Sequence, residues 1–201
     1  MTHYCLEMVE SEPLSDDASI PSAKDRVVHA LVEAAIELFG TRGPDAVSLR
    51  EIAAKAQVNY GLIHHYVGTK DDLISLALRT VSAQSTERFA TDDPLDTIHR
   101  LVESDPASPS LRLLAWSLLQ GRKADDLVGR SQALAALAAQ VANTATTVES
   151  RQRVVVLMSL LLGWQLFGDY LTESLDLGND ARSSTAELTE RVAIHIARDS
   201  T

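Results

Sequence analysis

Apolar residues recur at intervals of three and four along most of this chain, which is the spacing of an amphipathic helix. The pattern begins near residue 23, where Ser22 and Asp25 have the spacing of a capping box. It stops in the segment 40–44, which combines two glycines with a proline. Alternation with a period of two, bounded by turns, does not occur, so the sequence predicts an all-α chain without a sheet.

Residues 48–72 carry the local signals of two short helices and the start of a longer one. Each start has a side-chain cap: Ser48 with Glu51, Asn59 alone, and Thr69 with Asp72. Residues 48–67 are therefore predicted to form a helix, a turn of about four residues, and a second helix that ends at Gly68.

Helices are also expected along the rest of the chain, with prolines separating the first of them. They are predicted near residues 95–104, 110–121, 126–146, 149–174 and 184–198. The last one is placed by Ser184 and Glu187, which again have capping-box spacing.

Charge is distributed unevenly along the chain. The 201 residues hold 28 Asp and Glu against 18 Lys and Arg, a net charge of −10. Residues 24–80 are balanced, whereas residues 1–23 contain five acids and no Lys or Arg, and residues 81–201 contain sixteen acids against eleven bases. An acidic total weakens nonspecific binding to nucleic acid, but a local patch can still bind DNA.

The N-terminal segment and the single cysteine indicate the cellular compartment of the protein. Residues 1–22 are predicted to be a flexible acidic leader without the features of a signal peptide. Cys5 alone cannot form an intrachain disulfide or a cysteine metal cluster, so a reducing, cytoplasmic compartment is expected.

The helix over residues 60–67 has a surface suited to the major groove of DNA. Apolar residues lock it against the preceding helices and leave an outer face with Tyr, His and Gly and without carboxylates. Amides at the helix starts after Ser48 and Asn59 can hold phosphates. The candidate DNA-facing residues are Ser48, Arg50, Asn59, Tyr60, Gly61, His64, His65, Tyr66 and Lys70. Two alternatives stay open, because Tyr66 also fits a packing role and Asn59 a purely capping one.

The block around this motif resembles the N-terminal domain of the tetracycline-repressor (TetR) family of transcriptional regulators. The resemblance covers about residues 23–75 and is carried by the runs 47–53, 58–66 and 68–73. It implies an all-α homodimer, a repressor that binds a palindromic DNA operator and is released by a small, partly apolar effector. After the leader 1–22, which composition predicts, the resemblance implies a DNA-binding domain 23–69 and a regulatory and dimerisation domain 70–201.

Three positions depart from the family pattern. Gln57, His64 and Val67 stand where Gly, Tyr and Phe are usual. Gln57 would place a Cβ in a turn conformation that favours glycine. His64 and His65 would make DNA affinity rise as pH falls, because an imidazolium gains contacts with phosphate.

Residues 154–168 form an uncharged run of fifteen residues, shorter than the ~20 that a membrane span needs, so no membrane partner is predicted. A helix this apolar must be covered on most sides. Packing in the core is one interpretation, and a four-helix dimer interface, which the resemblance favours, is the other. The residues predicted on the dimer face are Leu157, Leu160, Leu161, Trp164, Phe167 and Leu171.

A mixed apolar and polar set in the C-terminal half is the candidate effector pocket, with ordinary core as the alternative. The set is His99, Trp116, Leu119, Gln120, Met158 and Gln165. Nothing in the sequence predicts a metal site, a cofactor or an enzyme's catalytic group. The competing function is a helical ligand-binding or protein-interaction module that no longer binds DNA, which the acidic total and Gln57 favour.

Overall fold

The computed structural model describes residues 22–91, 93–103, 108–122, 132–141, 147–178 and 181–198. These ranges contain helices and connecting turns but no strand, so the all-α prediction is confirmed for them. Residues 1–21 of the predicted leader lie outside them, as do both ends of the predicted helix 126–146, residues 126–131 and 142–146. The helices are α1 (Ala23–Arg42), α2 (Leu49–Lys55), α3 (Tyr60–Tyr66), α4 (Lys70–Thr91), α5 (Pro94–Glu103), α6 (Pro109–Leu119), α7 (Gln132–Val141), α8 (Thr147–Ser174) and α9 (Ala181–Arg198), with one 3-10 turn at Pro44–Ala46.

The helix starts in the N-terminal half follow from their capping residues. Ser22 and Ser48 each accept a hydrogen bond from the backbone amide three residues later, and the acid at that position accepts one in return. Thr69 and Asp72 make the same reciprocal pair ahead of α4. All three capping predictions are confirmed.

The predicted start of α9 is wrong by three residues. The helix begins at Ala181, and the Ser184 hydroxyl donates to the Ala181 carbonyl oxygen at 3.2 Å within the first turn. A serine inside a helix bonds back to a preceding carbonyl as readily as it caps, and the capping-box spacing does not distinguish the two roles.

The first hydrophobic core joins α1, α2, α3, the first half of α4 and α6. Its fully buried large side chains are Leu31, Phe39, Ile52, Ile63, Leu73, Leu78 and Leu113. Because Leu113 belongs to α6, the core extends beyond the helices of the predicted DNA-binding domain. The division of the chain at residues 69 and 70 stays a prediction about roles rather than a boundary between cores.

Two glycines allow α6 to lie directly against the end of α1. A Cβ at Gly40 would lie 2.2 Å from the carbonyl oxygen of Pro109, the first residue of α6. Two turns later, Trp116 covers Gly43, whose φ of 80° also favours glycine. The second half of the chain is therefore anchored on the last turn of α1.

The second hydrophobic core is formed by α5, α7, α8 and α9. Its most deeply buried members are Ile98, Leu137, Leu157, Leu161 and Ala193. Polar side chains of α8 bind carbonyls at the end of α5, since Gln165 donates to Leu101 at 2.7 Å and Trp164 donates to Val102 at 3.4 Å.

Candidate nucleic-acid interface

A tight turn sets the angle between α2 and α3. The amides of Gln57 and Val58 donate to the carbonyls of Ala54 and Ala53, at 3.1 and 3.0 Å, and close the turn. Gln57 has a φ of 56°, so the expectation of a strained non-glycine residue there is confirmed. Left-handed conformation costs such a residue ~1–2 kcal/mol, which the packing of the two helices offsets.

The inner side of α3 fixes its orientation. Ile63 is fully buried, and Val58 and Val67 on either side of the helix pack against the same core. This anchoring agrees with the apolar pattern and leaves the opposite side of the seven-residue helix facing outward.

An acidic cap lies at the N-terminus of α2. Glu51 accepts hydrogen bonds from the Ser48 amide at 2.8 Å and from Arg42 Nη1 at 2.7 Å. The Ser48 amide, then the Arg42 guanidinium and the Ser48 hydroxyl lower the pKa of Glu51 to about 2. Because this carboxylate stays ionised, the start of α2 is less open to phosphate than the sequence predicts.

Most of the predicted DNA-facing residues are exposed in the structure. Gly61, His64 and His65 are exposed on α3, and the Asn59 side chain accepts from the Gly61 amide at 2.9 Å. The residues of this set that are exposed are Ser48, Arg50, Asn59, Tyr60, Gly61, His64 and His65.

Three of these side chains form a stack across the two helices. The Arg50 guanidinium lies 5.5 Å from the centre of the Tyr60 ring, within cation–π range. The Tyr60 hydroxyl lies 3.1 Å from His64 Nε2, and the two rings meet edge to face. The stack restrains the side chains before any partner binds, which lowers the entropic cost of binding.

Tyr66 and Lys70 differ from the rest of the set because both are half-buried. Tyr66 lines a cleft of about 420 Å³ together with Lys24, Asp25 and His29 of α1 and residues of α4. Its placement fits the packing alternative better than a contact with a base. The Lys70 ammonium lies 6.0 Å from the Phe39 ring.

The part of the motif that follows Glu51 carries cations without acids. Between Glu51 and Asp71 the sequence has no Asp or Glu, and Lys55 pairs with Glu37 of α1 at 2.6 Å. We call the side chains of Arg50, Tyr60, His64, His65 and Lys70 the recognition surface. A short helix whose outer face has no acids fits a major groove, which is wide enough for an α-helix and is bordered by phosphates.

Comparison with known proteins agrees with this geometry. The sequence profile of the tetR family of bacterial regulatory proteins matches residues 31–77, which include α2, the turn and α3. The HTH-type transcriptional repressor Rv3405c of Mycobacterium tuberculosis is 30% identical over 187 residues, which are 90% of this chain and 97% of the relative. This chain belongs to the tetR family. The resemblance seen in the sequence is thus confirmed, and the protein is a DNA-binding transcriptional regulator of a family that is not enzymatic.

Solved structures support the same fold over most of the chain. A tetR-family transcriptional regulator from Streptomyces coelicolor has a TM-score of 0.59 and 23% identity, covering 84% of this chain and 80% of its own. The multidrug binding protein EbrR, solved with imidazole, has a TM-score of 0.56 and 19% identity, covering 87% and 96%. These likenesses extend the tetR-family fold into the C-terminal helices.

The structure splits the residues predicted for the tetR-family dimer face. Leu157, Leu161 and Trp164 are buried inside the subunit, which contradicts their predicted role as contacts with a partner subunit. Leu160 is half-buried, whereas Phe167 and Leu171 are exposed by 56% and 51%. The prediction merged two faces because α8 is apolar on all sides and its inner face serves the subunit core.

The residues predicted to line an effector pocket lie on different helices of the described structure. Leu119 and Gln120 are exposed at the end of α6, and Trp116 packs on Gly43. Met158 and Gln165 lie in the second core, where Gln165 already binds a carbonyl of α5. The six are spread over α5, α6, the turn after α6 and α8, and their role in binding an effector stays a prediction.

His99, the sixth predicted pocket residue, lies between α5 and α9. Its Nδ1 is 3.0 Å from Glu190 and its Nε2 is 3.1 Å from Glu103. The hydrogen bond with Glu190, and then the charge of Glu103, raise the pKa of His99. His99 therefore links α5 to α9 through Glu190.

The described residues contain no group of three His, Cys, Asp or Glu side chains arranged for a metal ion. The segment Val148–Ser174 of α8 is long and apolar enough to cross a membrane by composition, and its inner face packs in the second core, as in a core helix.

Proposed function

We propose that this tetR-family regulator is a cytoplasmic homodimeric repressor whose two α3 helices read the halves of a palindromic operator. The observation that carries the proposal is the acid-free recognition surface on the helix–turn–helix, with Arg50 and His64 restrained by Tyr60. Arg50 is assigned to a base edge, since an arginine is the usual reader of guanine. Lys70 is assigned to a phosphate, which fixes register without reading sequence.

The outer face of α8 supports a dimer. Val155, Val156, Phe167, Tyr170 and Leu171 are each more than half exposed and follow helical spacing along one side. A Cβ at Gly163, on the same side, would meet nothing within 4 Å, which leaves room for a partner helix. Exposed residues Leu188 and Val192 of α9 supply a second apolar strip. Two such helices from each subunit would form a four-helix interface with twofold symmetry.

Release by a small molecule would act through α4 and α6. Helix α4 starts immediately after α3 and carries residues of the first core, and α6 packs on α1 in the same core. Arg122, beyond the end of α6, forms an ion pair with Asp71 in the first turn of α4. An effector that favours another placement of α6 would therefore shift α4 and change the separation of the two α3 helices. EbrR, a protein of this fold, binds imidazole, but the effector proposed for this chain is unidentified.

Two arginine variants test the assigned surface. Arg50→Ala removes a cation from the recognition surface, and Arg112→Ala removes one from the exposed side of α6. Loss of one base contact of ~1–3 kcal/mol weakens operator binding by roughly 5- to 150-fold. We expect that loss for Arg50→Ala and a change below about twofold for Arg112→Ala, measured by fluorescence anisotropy on a duplex selected by the chain. Equal affinities for the two variants would contradict the assignment.

A further inference from the structure

The first 21 residues have a charge opposite to that of the recognition surface. They contain five carboxylates and no Lys or Arg. Residues 52–70, which include the turn and α3, contain two lysines, two histidines and no acid. The carboxylates of the first segment are Glu7, Glu10, Glu12, Asp16 and Asp17.

The structure places the origin of this segment beside the recognition helix. It joins α1 at Ser22, and Lys24 and Asp25 of the first turn line the same cleft as Tyr66 at the end of α3. A chain of 21 residues spans up to about 70 Å when extended and about 25 Å as a random coil. The seven residues of α3 are only about 10 Å long. The segment can therefore reach every part of the recognition surface.

We propose that the acidic leader, residues 1–21, competes with DNA for the recognition surface. Its carboxylates pair with Arg50, Lys70 and the two α3 histidines in the free protein, and operator phosphates displace them. Individual exposed pairs are weak, but tethering holds the leader near the surface at an effective concentration in the mM range. The inference rests on the proposed DNA-binding function of this surface and adds an internal competitor to it.

Affinity measurements on the full chain and on a variant that starts at Ser22 test the effect of the leader. Without the leader, operator binding is expected to tighten about tenfold at 50 mM salt and by less than about twofold at 400 mM, because salt screens the competing pairs. The selected DNA sequence should stay the same, since carboxylates read no bases. Equal or weaker binding by the shortened chain overturns the proposal, whereas absence of DNA binding by both chains refutes the proposed function instead.

Matched double variants separate a local effect from the total charge. Asp16→Asn with Asp17→Asn neutralises two charges in the leader. Glu173→Gln with Asp176→Asn neutralises two exposed charges, one in the last turn of α8 and one just after it. The leader pair should tighten binding about threefold at 50 mM salt, and the α8 pair should leave it within about 1.5-fold. Equal changes in the two variants would assign the effect to net charge and overturn the proposal.

The single cysteine provides a direct test of contact. A nitroxide spin label on Cys5 should broaden the backbone amide signals of α2 and α3 in the free protein, and addition of operator duplex should restore them. Reducing the nitroxide in the same sample gives the reference spectrum. If the α3 signals are unaffected, the leader does not occupy the surface, and any change in affinity comes from repulsion at a distance.

Discussion

Gly40→Ala tests the contact that anchors α6 to the DNA-binding helices. The added Cβ would lie 2.2, 2.5 and 2.6 Å from the oxygen, Cα and carbonyl carbon of Pro109. All three are backbone atoms, so rotation of a side chain cannot relieve the overlap. Ordinary contact begins near 3.4 Å, which means that α6 must move away from α1 by about 1 Å.

The expected loss of stability combines two opposing effects. Overpacking of a close contact costs about 1–3 kcal/mol, and replacing a helical glycine with alanine returns about 0.5–1 kcal/mol. The net loss in the free energy of unfolding is about 1–2 kcal/mol. For a chain of this size, that lowers the melting temperature by about 2–8 °C.

Thermal and urea unfolding, followed by circular dichroism, measure the change. Ala83→Gly, at an exposed position of α4, serves as the control for helix propensity and should lose about 0.5–1 kcal/mol. A Gly40→Ala variant as stable as the natural chain, beside a destabilised Ala83→Gly, would show that α6 does not lie this close to α1.

Other variants test charge, pH dependence and assembly. Lys70→Ala should weaken binding to all duplexes alike and reduce the slope of log affinity against log salt by about one unit; an unchanged slope in anisotropy titrations would remove Lys70 from the phosphate contacts. The pKa of Glu51 is lowered from the usual 4.5 to about 2, so the ionised carboxylate stabilises the folded protein. This stabilisation is fully present above pH 4.5 and is lost as the pH falls toward 2. Glu51→Gln should therefore show less loss of stability than the natural chain between pH 4.5 and 2 in thermal melts, and parallel curves would contradict this. Leu171→Glu, on the exposed side of α8, should convert a dimer to folded monomers in sedimentation velocity, whereas a dimeric variant would move the interface elsewhere.

Local chemistry explains what the sequence predicts well. The caps at Ser22, Ser48 and Thr69 bind amides three residues away, so their effect depends on short segments of chain. The strained position of Gln57 follows in the same way from the tight turn and from its place in the family pattern. These features position the recognition surface, and they need no knowledge of the rest of the fold.

Contacts between distant segments explain what the sequence misses. Helix α8 is apolar on every side, so its pattern cannot tell that Leu157 faces the core while Phe167 faces outward. The docking of α6 on Gly40 depends on residues about seventy positions apart. The predicted pocket residues stay a prediction for the same reason, because composition identifies suitable side chains without showing which helices bring them together.

Selection from a pool of random duplex DNA tests the central claim most directly. The full chain and Tyr60→Ala would be compared at near-physiological salt, and the enriched duplexes sequenced. The natural chain should enrich a palindrome with half-sites about one helical turn apart, and Tyr60→Ala should enrich it weakly and with less preference at the contacted bases. Failure of the full chain to enrich any sequence over bulk DNA would contradict the account.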